Sequence, residues 1–287
     1  MGTKRKTIMK RIQYSGIGLH KGHKIKIQLI PAEVNTGIIF KRVDIKENNE
    51  IKLDINNVFN PTRGTNIRNE SGVEVFTIEH FLSALYAYGI SDLLIEIDGN
   101  EMPIGDGSAF PFLELVDIAG TKEYEEEMEI LEITEPVYIA EEDKYIIALP
   151  HSEYKITYAV NYNHSYLKSQ LEEFEITKET FRNSIGKART FGFDYELEYL
   201  KANNLALGGS LNNAIVVTNT GVMNPDGLRM ESEFVTHKIL DLVGDLKVLN
   251  KIIKGHIIAI KAGHALDMKF AKKLLKNDNK IKGEMKK

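Results

Sequence analysis

The sequence predicts an α+β fold built from two similar halves, and three observations point to it. Each half places strand-like runs ahead of helical ones. An acidic run, Lys122 to Glu129, interrupts the pattern near mid-chain. The 287-residue chain is also long enough for two domains of ordinary size. We expect a first domain over residues 1–124 and a second over 125–287.

In the first half, Lys24 to Leu29 alternates polar and apolar residues as a half-buried strand does, and Pro31 closes it. Thr36-Gly37 reads as a turn into a second strand through Phe40. From Thr77 the apolar positions Ile78, Phe81, Leu82 and Leu85 recur at helical spacing, with Thr77 expected as the N-cap and Gly89 as the stop. Leu93 to Ile97 is another strand, followed by the turn Asp98-Gly99-Asn100, and residues 102–116 lead through glycines into a second helix. The acidic run then reads as a linker, although a solvated face would carry the same charges.

The second half resumes with strands near 137–140, 145–149 and 155–160, a strand at 214–218 and a helix from about residue 231. The lysine-rich tail from Lys272 is expected to fray. A role for it at an anionic membrane surface is the less favoured reading.

Composition narrows the function classes. The chain is 43% hydrophobic and 27% charged, the balance of a soluble globular protein. A formal net charge of −4 gives no reason to expect nucleic acid as a partner. Cysteine is absent, so any metal must be held by histidines and carboxylates, and a reducing cytoplasm fits. The N-terminal stretch lacks the apolar run of a secretory signal, and no segment approaches a membrane span of about 18 apolar residues. At most peripheral membrane contact is expected.

Three patterns can carry chemistry. In residues 234–249, Val235, Ile239, Leu242, Val243, Leu246 and Leu249 form a core-facing stripe, while His237, Asp241 and Asp245 follow one another at i, i+4 steps on another face. Such neighbours stand about 5–6 Å apart at their β-carbons, close enough to share one ion. A plain surface ion pair has the same spacing. Glu79-His80 opens the helix at 77–89, where His80 can be a third ligand and Glu79 a base; a first-turn glutamate favoured by the helix dipole is the ordinary alternative. His264 follows a strand and Gly263, a usual place for a catalytic acid, although an exposed or structural histidine is the commoner occupant. Rival chemistries lack their motifs: HExxH, the inverted HxxEH, GxSxG, the Walker loop and GxGxxG are all missing.

Together these patterns resemble the UDP-3-O-acyl-N-acetylglucosamine deacetylases of lipid A synthesis, the LpxC family. The matching blocks are SGIGLHKG at 15–22, NTGIIFKRVD at 35–44, TIEHFLSAL at 77–85, EMPIGDGSAFPF at 101–112, KARTFGF at 187–193, LALGGSLNNAIVV at 205–217, NPDGLRMESEFVTHKILDLVGDL at 224–246 and GHIIAIKAGHALDMK at 255–269. They run in family order over nearly the whole chain. Gly105 stands where a bulky apolar residue is more usual, and Ser165 where proline is frequent.

The resemblance implies two two-layer sandwich domains, each a sheet packed on helices, with the active site between them. It implies Zn2+ on His80, His237 and Asp241, Glu79 as base, His264 as acid and Asp245 orienting it. Thr190 would contact the oxyanion, and Lys238 would add positive charge there or meet the diphosphate. Tyr162 would stack on uracil. Phe191, Phe193, Leu197, Leu200, Ala206 and Gly209 would contact substrate, the apolar ones lining an acyl-chain passage. The implied activity is hydrolysis of the N-acetyl group of an acylated UDP-N-acetylglucosamine, by a cytoplasmic protein expected to be a monomer. Two other readings share the scaffold: a non-catalytic binder of nucleotide sugar or lipid, and a zinc amidohydrolase for another N-acyl compound.

Overall fold

The structure, a computed structural model, describes residues 2–284. Its first large sheet has five strands in the order Ile12–Ile17, Lys24–Pro31, Leu93–Ile97, Ile38–Arg42 and Glu50–Lys52. Neighbours are antiparallel except Ile38–Arg42 with Leu93–Ile97, which are parallel. The alternation read in the sequence is realised: Ile25, Ile27 and Leu29 are buried while Lys24 and Lys26 face out. Helices α1 (Glu79–Tyr88) and α2 (Phe110–Ala119) cover the apolar face. Phe81 of α1 meets Phe40 of the sheet edge-on at 6.2 Å and Phe112 of α2 at 5.4 Å.

The second large sheet runs Val137–Glu141, Lys144–Leu149, Ile252–Ile260, Tyr154–Asn161 and Ser169–Glu175, and Ile130–Glu132 pairs with the central strand Ile252–Ile260. Short helices α3 (Lys178–Asn183) and α4 (Leu197–Ala202) belong to the connection between this sheet and α5 (Glu233–Leu246). In α5 every residue but Lys238 is buried, and the expected stripe Val235, Ile239, Leu242, Val243 and Leu246 faces the core. Helix α6 (His264–Glu284) packs beside α5. Helix α1 packs directly on α5, so the two layered halves meet through their helices and share one continuous core.

The α+β expectation agrees with this architecture, and three local expectations are corrected. The acidic run does not act as an irregular linker: Thr121–Glu127 is a strand paired antiparallel with Lys4–Ile8, and Lys6 and Lys4 answer Glu123 and Glu125 at 2.7 and 3.0 Å. Thr77 is not a side-chain cap. Its φ of 57° places it in the left-handed region, and its N–H donates to Asn66 Oδ1 at 3.1 Å. Nor is the tail irregular from Lys272: α6 continues to Glu284, and Leu274 is buried. Residues 285–287 of that tail lie outside the described residues.

Candidate functional site

The α1–α5 contact brings together side chains that stand far apart in sequence. The left-handed turn at Thr77 starts α1 at Glu79, so Glu79 and His80 occupy its first turn and face α5. On α5, His237 and Asp241 are one turn apart and only 2% and 3% exposed, which rules out the surface-pair reading. His237 Nε2 lies 3.3 Å from Asp241 Oδ1, and His80 Nε2 lies 3.6 Å from the same oxygen. One ligand atom from each of the three falls within 4.8 Å of the others.

This trio fits a metal ion on three grounds. His237 Nδ1 is 3.0 Å from the carbonyl of Ala188, a bond in which the ring must donate, so its Nε2 carries a free lone pair. Burial pushes the His237 pKa down to about 3, which keeps the ring neutral near pH 7. Burial works against ionisation of Asp241, yet its carboxyl is held well below the usual range, and the Lys238 ammonium binds its Oδ2 at 2.6 Å. A neutral imidazole acceptor then faces a carboxylate acceptor at 3.3 Å, and buried Asp241 Oδ1 has no hydrogen-bond partner. A cation between them removes that conflict. The spacing suits a tetrahedral ion with ligands at about 2.0–2.1 Å, whose ligand-to-ligand edge is about 3.3–3.4 Å.

A second set stands next to it. His264 opens α6, where the helix dipole opposes positive charge. Its Nδ1 is 2.7 Å from Asp245 Oδ2, one turn beyond Asp241. Burial alone would lower the His264 pKa, but Asp245, with Asp241 and Glu79, raises it to about 10. The other ring nitrogen lies 3.9 Å from Asp241 Oδ2, so His264 points towards the ligand cluster. Glu79 is 3% exposed, and burial raises its carboxyl above the ordinary range while His264 and His80 draw it back. The arrangement therefore offers a protonated donor, a carboxylate acceptor and a cation seat around one space.

A cavity of about 600 Å³ adjoins this arrangement: Glu79, His80 and Thr190 line it, whereas His237, Asp241, Asp245 and His264 do not, and Leu197, Leu200, Leu211 and Ile215 give it an apolar flank. Of the substrate-contacting residues expected from sequence, Phe191, Ala206 and Gly209 also line it. Phe193 and Tyr162 do not. Phe193 is buried in a small cluster with Leu167, Ile215, Val217 and Phe234, and Tyr162 packs on Phe193 at 5.4 Å and on Phe191 at 6.1 Å, behind the wall. Lys238 is likewise absent from the lining, since its Nζ is 2.6 Å from Asp241 Oδ2.

Several residues of the site receive no role from the sequence. Ala188 orients His237 through a backbone carbonyl, and that segment is fixed by the buried pair Arg189–Glu233, joined at 2.8 Å. Glu233 also accepts the N–H groups of Arg189 and Arg229. Asp267 lies fully buried beside Asp245 and His264, and burial with the neighbouring Asp245 charge raises its carboxyl well above the ordinary range. Thr65 donates its backbone N–H to Glu79 Oε2 at 2.9 Å and its hydroxyl to Asp245 Oδ1. The Arg189–Glu233 link joins two apolar-flanked segments 44 residues apart, which only a folded chain reveals.

Comparison with known proteins bears on the family of the chain. A family model described as LpxC, UDP-3-O-acyl N-acetylglycosamine deacetylase, matches residues 5–276. The UDP-3-O-acyl-N-acetylglucosamine deacetylase of Leptospira biflexa is 44% identical over 268 residues, covering 93% of this chain and 88% of that protein. The enzyme of the same name from Syntrophotalea carbinolica is 43% identical over 271 residues (94% and 87% of the two chains), and that from Idiomarina loihiensis 40% over 274 (95% and 90%).

Proposed function

The chain belongs to the LpxC family of UDP-3-O-acyl-N-acetylglucosamine deacetylases, and from that premise we propose that it hydrolyses the N-acetyl group of an acylated UDP-N-acetylglucosamine in lipid A biosynthesis. The observation that carries the reading is the convergence of His80, His237 and Asp241 beside the Glu79 and His264–Asp245 acid–base groups.

The ion we assign to the trio is zinc, because two imidazoles and a carboxylate, all buried, match its preferred donors. Zinc bound there would supply Lewis acidity, polarising the acetamide carbonyl and lowering the pKa of water. Glu79 accepts the proton of the attacking water, and its buried carboxylate is more basic than usual, which suits that task. The water oxygen bonds to the carbonyl carbon, and Thr190 at the cavity wall donates to the oxyanion. His264 gives its proton to the amide nitrogen as the carbon–nitrogen bond breaks, leaving acetate and a free amine. Lys238 acts through Asp241, fixing Oδ2 so that Oδ1 stays turned towards the two histidines.

The apolar flank is the seat we assign to the acyl chain, with Leu197, Leu200 and Ala206 against it. Tyr162 is assigned to the uracil side, and Phe193 supports it from behind. In this division of labour residues 1–124 bring the base and one ligand, and 125–287 bring two ligands and the acid. One chain supplies every group, so a monomer suffices. No helix among the described residues is long and apolar enough to cross a membrane. A cytoplasmic location completes the reading, and a chain without cysteine fits that reducing compartment.

The test is acetate release from UDP-3-O-acyl-N-acetylglucosamine by zinc-loaded protein. Release that stops with a chelator and returns with zinc supports the reading. A folded, zinc-loaded sample that leaves this substrate intact contradicts it.

A further inference from the structure

We propose that Thr65 is a positioning residue that fixes the acid and the base of the site to each other, an inference that rests on the deacetylase reading above. Thr65 is completely buried, in an irregular segment between Phe59 and Ile67 that no sequence pattern marks. All three of its polar groups are used. The backbone N–H donates to Glu79 Oε2 at 2.9 Å, the carbonyl accepts the N–H of Ile78 at 3.0 Å, and the hydroxyl donates to Asp245 Oδ1.

These bonds divide the work of both carboxylates. Glu79 has its Oε2 occupied by Thr65, which leaves Oε1 to take a proton from water. Gly64 keeps that oxygen accessible: a β-carbon at residue 64 would sit 2.9 Å from Oε1. Asp245 has Oδ1 held by the Thr65 hydroxyl and Oδ2 by His264 Nδ1, so the plane of the carboxylate is set by two bonds on opposite oxygens. Fixing that plane fixes the imidazole ring, and with it the direction in which the other ring nitrogen offers its proton. One residue thus sets the base oxygen and the acid direction in a common frame, although Glu79 and Asp245 stand on different helices. None of its hydrogen bonds goes to His80, His237 or Asp241, so the cation seat does not depend on it.

Substituting Thr65→Val keeps the shape and the backbone N–H and removes only the hydroxyl. In the zinc-loaded enzyme acting on UDP-3-O-acyl-N-acetylglucosamine, we expect kcat to fall by about 10- to 100-fold, the scale of one hydrogen bond to a charged group. KM should stay within about twofold and zinc content unchanged, and Thr65→Ser should restore most of kcat. In the metal-free protein, the NMR signal of the His264 Nδ1 proton should move in Thr65→Val and return in Thr65→Ser. Should the valine variant fail to fold, Thr65→Ala carries the same comparison. A valine or alanine variant with wild-type kcat and an unmoved His264 signal overturns the proposal, as does a serine variant no better than valine. Wild-type protein that releases no acetate defeats the deacetylase reading instead, and the NMR comparison then still decides whether Thr65 orients Asp245 and His264.

Discussion

Gly244 of α5 lies so close to Glu79 of α1 that a β-carbon at residue 244 would stand 2.1 Å from the Glu79 backbone carbonyl oxygen. The two helices that share the ligands are therefore in backbone contact at the site itself. Gly244→Ala must push them apart. Overpacking of this kind costs about 1–3 kcal/mol, and here the strain falls between the His80-bearing and the Asp241-bearing helix. We expect a lower thermal midpoint together with weaker metal binding in a chelator competition. Wild-type metal affinity in a folded Gly244→Ala protein would show that the helix spacing does not matter to the site.

Removing a ligand should act differently. Asp241→Ala deletes the oxygen that both histidines face at 3.3 and 3.6 Å. Bound metal, measured by elemental analysis after gel filtration, should drop from about one ion per chain to well below that. The same protein loses the ion pair to Lys238, whose partly exposed ammonium is then left to water.

The acid–base pair predicts separate losses. Glu79→Gln and His264→Ala should each retain metal yet lower kcat by about 10²–10⁴-fold, the usual contribution of a positioned proton-transfer group. A variant with normal kcat removes that residue from the reaction.

His264 also makes a pH prediction for the metal-free protein. Its pKa in the folded state, about 10, lies above the ordinary 6.5. The His264–Asp245 pair therefore adds stability that is fully present below pH 6.5 and is lost as pH rises through about 10. NMR titration of chelated protein should find the ring protonated at pH 8, and Asp245→Asn should bring its pKa down. A wild-type midpoint near the ordinary value would contradict the assigned pairing.

The backing of His237 can be tested from a distance. Arg189→Met breaks the buried link to Glu233 that holds the Ala188 carbonyl against His237 Nδ1. Loss of such an orienting partner typically costs about 10–100-fold in metal affinity. Unchanged affinity would mean that the Ala188 carbonyl is held by other contacts.

Much of this was legible in the sequence where a periodic pattern existed. The alternation at Lys24 to Leu29 and the stripe from Val235 to Leu246 each specified which face is buried, and the i, i+4 spacing of His237, Asp241 and Asp245 put them on one side of a helix. The left-handed stop at Gly89 followed from local chemistry as well. What the sequence hid depends on tertiary contact. Charges at 122–129 read as a solvated linker because their lysine partners stand at Lys4 and Lys6, more than a hundred residues earlier. Thr65, Asp267 and the Ala188 carbonyl act through single hydrogen bonds or burial, and such bonds leave no period. Tyr162 and Phe193 follow from the family resemblance alone, which says nothing of depth, and both lie outside the cavity lining.

Zinc-loaded crystals measured across the zinc absorption edge offer the most direct test. The account predicts one anomalous peak within coordinating reach of His80 Nε2, His237 Nε2 and Asp241 Oδ1. A peak seated among Asp245, His264 and Asp267 with none at the trio would contradict it, because the group assigned to proton donation would then be holding the ion.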